Sequence, residues 1–178
     1  MAKSLNKLLR ARPSGAEVNA LMKEIKTDGP RGAAMVAAAI IDDVLVGAIR
    51  YKFVTLKKDE DEALFGPDRP LGSFSSRIKV AYALGIYGPK TQHDLETLRE
   101  IRNAFAHGRR QLSFETKEVA EMCKGLHCIK DIEGYKTLSG RALFNGAVEL
   151  LMLYLTTKIG PYPPGIERIT IEGITQLD

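Results

Sequence analysis

The sequence predicts an all-α protein built as an antiparallel helical bundle. Three observations carry that reading. Apolar residues recur at spacings of three and four in several separate segments. Pro and most Gly fall at the ends of those segments or between them, with Gly47 an exception inside the longest. One stretch, Arg31 to about Lys57, is apolar on nearly every side, which suits the centre of a bundle.

Residues 1–15 form a flexible basic leader ending at Pro13-Ser14-Gly15. A short helix follows with Val18, Leu21, Met22 and Ile25 on one face. Asp28-Gly29-Pro30 ends it and opens the central helix, with Pro30 in the first turn. Lys57 to Gly72 is charged and then rich in Gly and Pro, the composition of a loop. Ser73 begins a helix through Ile78, Ala81 and Leu84, closed by Gly85 or Gly88. Thr91 with Asp94 resembles a capping box opening the next helix, which runs out at His107-Gly108. Thr116 to Gly125 is a further helix. Ser139 to Lys158 is a long amphipathic one with Leu143, Ala147, Leu150, Leu151, Tyr154 and Leu155 inward, stopped by Gly160-Pro161. The helical domain is thus 16–160, followed by a tail, 161–178. Within the tail, Ile166 to Ile174 alternates weakly, the pattern of a short strand or β hairpin.

With 178 residues, a net charge of +4 and 44% hydrophobic residues, the chain fits one domain with a real core and a mildly basic surface. No apolar run after Met1 reads as a signal peptide, and the apolar run Ala33–Ile41 is interrupted by Asp42 and Asp43 before it can span a bilayer. Two cysteines suit a reducing compartment. These features predict a cytoplasmic protein away from membranes.

Leu95, Leu98, Ile101 and Phe105 make one apolar stripe, and Arg102 falls inside it. A guanidinium keeps its charge, so on a core-facing stripe it needs a carboxylate or an anion. Asp42 and Asp43, the only charges between Arg31 and Arg50, are the candidate partners. Such a pair either fixes helix register or holds Arg102 ready for a phosphate. His107 lies five residues on, about 140° around a regular helix. Convergence with Arg102 needs unwinding at His107, which Gly108 permits, or a second copy of the helix across a dimer axis. His107 alone is also favourable against the helix dipole.

Arg77, Lys79, Arg99, Arg109 and Arg110 are candidate anion-binding residues, with solvated surface charge as the plainer alternative. Cys123, His127 and Cys128 invite a zinc reading, with His107 as a fourth ligand, but lack Cys-x-x-Cys spacing. Buried, unreactive cysteines are the better reading, and no metal or cofactor is assigned. There is no glycine-rich phosphate loop, serine elbow or convincing recognition helix.

The stretch Gly66-Pro67-Asp68-Arg69-Pro70-Leu71-Gly72-Ser73-Phe74-Ser75-Ser76-Arg77-Ile78-Lys79-Val80-Ala81-Tyr82-Ala83-Leu84-Gly85 resembles the signature of the mannitol operon repressor family. Leu98-Arg99, His107 and Leu112-Ser113-Phe114-Glu115-Thr116 extend the resemblance, which covers about residues 30–128. It implies a helical fold and repression of a sugar-alcohol operon through a protein partner rather than a recognised DNA-binding motif.

Arg102-Asn103-Ala104-Phe105-Ala106-His107 is also similar to the Arg–polar–His motif of the HEPN superfamily of helical, dimeric proteins. That similarity implies a metal-independent ribonuclease in which His107 is acid and base, Arg102 stabilises the phosphate and Asn103 orients the site. The HEPN similarity also implies a homodimer, and a homodimer is the expected assembly. The two resemblances differ on activity: regulator in one case, RNA-cutting enzyme in the other.

Overall fold

Helix α1 (Gly15–Thr27) leads into α2 (Pro30–Lys52) in the computed structural model, which describes residues 15–108 and 111–159. There follow α3 (Lys58–Phe65), α4 (Phe74–Ala83), α5 (Pro89–His107), α6 (Lys117–Gly125), a 3-10 turn (Tyr135–Thr137) and α7 (Gly140–Thr156). No strand occurs among the described residues. The fold is the expected all-helical bundle. Residues 1–14 of the basic leader, the 161–178 tail with its predicted hairpin, and Arg109-Arg110 lie outside the described residues, while Gly15 opens α1.

The centre is α2, which packs against α1, α4, α5 and α7. Its alanines let those helices approach closely, and Ala33, Ala34, Ala37, Ile40, Ile41, Leu45, Ala48 and Ile49 are all buried. Its 23 residues are long and apolar enough to cross a bilayer, whereas the sequence reading takes the apolar run Ala33–Ile41 as too short to span one. Yet the surrounding helices cover it, and Asp42 sits mid-helix paired to a neighbour, so it serves as a core helix.

That helix stops at Lys52 rather than near Lys57, and the expected loop contains α3. Three acids, Asp59, Glu60 and Asp61, occupy the first turn of α3, where the helix dipole favours them. Glu60 Oε2 accepts the Lys57 backbone N–H at 2.8 Å. Arg50 reaches over from α2 and forks onto both oxygens of Asp61 at 2.7 Å each. Phe65 closes the helix in the core, 6.1 Å from the Phe53 ring.

Ser73 caps α4 as predicted, its hydroxyl accepting the Ser76 N–H at 3.1 Å. The C-terminus of α4 is a Schellman turn. Gly85 takes φ +66°, its N–H donates to the Tyr82 carbonyl, and the Ile86 N–H donates to that of Ala81. Helix α5 starts two residues before Thr91, with Gly88 and Pro89 at its N-terminus, and no Thr91–Asp94 box caps it.

On α7, Leu143, Ala147, Leu151 and Leu155 are buried as expected, under a Ser139 cap. Leu150 and Tyr154, expected inward, are exposed beside Leu153. The neighbours of α7, chiefly α2 and α6, cover a narrower strip than its apolar wheel offers.

Candidate functional site

The motif of residues 66–85 is organised around Arg77, whose side chain is 14% exposed. Its Nη1 donates to Asp42 Oδ2 at 2.6 Å, and its Nε donates to the Leu71 carbonyl at 2.7 Å. One guanidinium thus ties α4 to the central helix and to the Pro70-Leu71-Gly72 turn. That turn is wound tightly: a Cβ on Gly72 would collide with the Gly66 and Arg69 carbonyls. Burial raises the Asp42 pKa, outweighing the hydrogen bond and charge of Arg77 and the charge of Arg102. Asp42 Oδ1 is buried with no hydrogen-bond partner among the described residues.

The predicted pairing of Arg102 with Asp42 or Asp43 is therefore corrected: Arg77 takes Asp42 and Asp43 is exposed. Arg102 is half-buried and donates to Asn103 Oδ1 at 2.9 Å. The rotation along α5 leaves it at the border of the stripe, close enough to Asp42 for its charge to act there. His107 is exposed at the last position of α5. Five residues of regular helix separate it from Arg102, and no unwinding brings the two together within one chain.

Among the other candidates, Arg99 pairs with Glu96 at 2.7 Å and Lys79 is exposed on α4. Arg31 Nη2 donates to the Gly108 carbonyl at 3.1 Å, meeting the C-terminus of α5. It lines an open cleft with Gly29, Phe105, Gln111 and Ser113.

The strongest polar convergence lies elsewhere and was not anticipated. Asp94 is 1% exposed. Its Oδ1 accepts the His127 backbone N–H at 2.8 Å and its Oδ2 that of Cys128 at 2.9 Å. His127 Nδ1 lies 3.1 Å and His93 Nδ1 3.4 Å from Oδ1. The carboxylate of α5 thereby holds the turn that follows α6. The available sequence signal was the spacing of four from Asp94 to Leu98, which places an acid on the same apolar stripe that drew attention to Arg102.

The zinc set weighed as the alternative reading does not assemble. Cys123 is in the core, and burial, with the Glu115 charge adding, pushes its thiol up to about 12. Cys128 is half-buried, and burial first and Asp94 second raise its thiol pKa. His127 turns instead to Asp94 and His93. His107 is 14 residues beyond His93 on the same helix, about 21 Å along its axis.

The model of the mannitol repressor family matches residues 34–150, taking in Asp42, Arg77, Asp94 and most of the bundle. The mannitol operon repressors of two Escherichia coli strains, K12 and O6:H1 CFT073, are each 32% identical over 68 residues. Those alignments cover 38% of this chain and 35% of either relative, so about a third of the length of the curated relatives is matched. Among solved structures, MtlR in the MtlR–HPr complex from Escherichia coli superposes with a TM-score of 0.65 at 18% identity. It covers 78% of this chain and 97% of that one. A possible transcriptional regulator, YggD, from Shigella flexneri 2a gives 0.59 at 17% identity, over 79% and 94%. At those identities the likeness is one of fold.

Proposed function

The chain belongs to the mannitol repressor family, and from that premise we propose that it is a cytoplasmic transcriptional regulator acting through a protein partner. The observation that carries the reading is the family match over residues 34–150, which spans the Arg77–Asp42 clasp and the helices it joins. The partner is proposed to be an HPr protein, by analogy with the complex formed by MtlR of Escherichia coli. Repression of a sugar-alcohol operon follows by the same analogy. A homodimer, which the HEPN resemblance implies, is proposed as well, and Leu150, Leu153 and Tyr154, an outward apolar strip on α7, support self-association.

The test is direct. Calorimetric titration of the chain with HPr from its own source should show saturable binding, and deleting its gene should raise sugar-alcohol operon transcription. Absence of both would overturn the proposal. Light scattering should give a dimer mass that Leu153→Glu reduces.

A second reading has its own support. Arg102 has no carboxylate partner among the described residues, its guanidinium is steadied by Asn103, and His107 is exposed. As a ribonuclease, the chain would join Arg102 and Asn103 of one copy with His107 of another. Lys79, Arg99, Arg109 and Arg110 would then add attraction for the RNA backbone, whereas Arg77 is engaged by Asp42. Cleavage of labelled single-stranded RNA in EDTA, leaving 2′,3′-cyclic phosphate and lost in Arg102→Ala and His107→Ala, would establish this reading. Uncut RNA would reject it.

A further inference from the structure

The two imidazoles beside Asp94 are placed for more than hydrogen bonding. His93 precedes Asp94 on α5, and His127 comes from the turn after α6. Their Nδ1 atoms face the same carboxylate oxygen, Oδ1, at 3.4 and 3.1 Å. One ligand atom from each of the three residues lies within 4.8 Å of the other two. The rings meet edge-on, with centroids 4.7 Å apart and planes at 89°.

Hydrogen bonds alone account poorly for this geometry. Oδ1 already accepts the His127 backbone N–H at 2.8 Å. A carboxylate oxygen has two lone pairs, so one is left for two imidazole nitrogens. The more distant ring, His93 at 3.4 Å, gains at best a weak third contact, whereas a shared cation would let both ring nitrogens and the oxygen donate to one centre. The two nitrogen–oxygen spacings, 3.1 and 3.4 Å, fit such an ion. Four-coordinate zinc with bonds of about 2.0–2.1 Å sets neighbouring donor atoms about 3.3–3.4 Å apart.

The donor chemistry narrows the class. Two imidazole nitrogens and one carboxylate oxygen suit zinc, cobalt or nickel better than magnesium or calcium, which prefer all-oxygen shells. The carboxylate is held in place from behind, because Cys128 N–H fixes Oδ2 at 2.9 Å. Access is open on the His93 side, where the side chain is 53% exposed.

We propose that His93, Asp94 and His127 form a binding site for one divalent cation of the zinc class, with a fourth position open to water or an external ligand. The ion would pin the turn after α6 to the first half of α5. This site is independent of the HPr and RNA readings.

The test uses the full chain without a histidine tag, stripped with chelator and dialysed. Titration with Co2+ should develop the visible absorption of a four-coordinate ion at one equivalent, and Zn2+ should displace it. His93→Gln and His127→Gln should each weaken Zn2+ binding more than tenfold, judged on variants whose circular dichroism matches the wild type. His107→Gln, which changes the remaining histidine of the chain, should bind as the wild type does. Zn2+ should also raise the wild-type Tm and leave that of His93→Gln unchanged. Failure of the wild type to bind either ion up to millimolar concentration would overturn the site, as would binding that survives His93→Gln.

Discussion

Arg77 and Asp42 are 35 residues apart in sequence, and their side chains meet at 2.6 Å between α4 and α2. The contact answers a half-buried carboxylate on the central helix, and the same guanidinium holds the Leu71 carbonyl. The mannitol repressor signature around Arg77 therefore builds the bundle here rather than presenting a free cation. Arg77→Ala should lower stability by about 3 kcal/mol, because it leaves the Asp42 charge without its partner. Arg77→Lys should recover little, since an ammonium cannot span both acceptors. Urea denaturation would measure both.

Asp42 gives that clasp a pH dependence. Burial raises its folded pKa above the ordinary 3.8, so the folded chain holds the proton more tightly than the unfolded one. The associated stability is fully present below 3.8 and is lost as pH rises through the folded pKa. Asp42→Asn lacks this group. The Tm of wild type minus that of Asp42→Asn should fall as pH rises above 3.8 and then level off. A difference that rises over that window would contradict burial as the dominant cause.

Arg102→Ala should cost about 1 kcal/mol or less, the worth of one hydrogen bond at a half-buried site. Its recorded partner is Asn103, and no carboxylate is left stranded by its removal. A Tm loss matching that of Arg77→Ala would show that Arg102 carries a structural ion pair after all.

Asp94→Ala should destabilise the chain by about 3 kcal/mol, because two backbone N–H groups lose a charged acceptor. Hydrogen exchange should locate the damage, with His127 and Cys128 amides losing protection well before those of α2.

The thiols supply an independent check on the core. Cys123 is fully buried with its pKa pushed up to about 12, and the Cys128 pKa is raised as well. The native chain should resist alkylation at Cys123 near neutral pH, with both cysteines reacting on unfolding. Rapid native labelling of Cys123 would mean that α6 opens readily from α7.

Much of the bundle is legible from residue order because local signals agree with the tertiary outcome. Pro30 begins α2, Ser73 caps α4, Gly85 ends it, and Gly108 follows the last residue of α5. Helix α3 is hidden because its first five residues are all charged. What keeps it helical is the reach of Arg50 and the burial of Phe65, neither of which leaves a periodic trace. Asp94 was legible by its place on the apolar stripe, but its resemblance to a capping residue gave a competing local explanation.

The sequence by itself determined the helical class, the central position of α2 and the family signature. Each rests on spacing along one helix or on short-range turn chemistry, where distance is set by residue number. Only the tertiary structure decided that Asp42 meets Arg77 rather than Arg102, that His107 stays apart from Arg102, and that His93 and His127 gather on Asp94. Those outcomes depend on the rotation and depth of packed helices. A turn of a few tens of degrees exchanges one charged neighbour for another while the pattern of apolar residues remains the same.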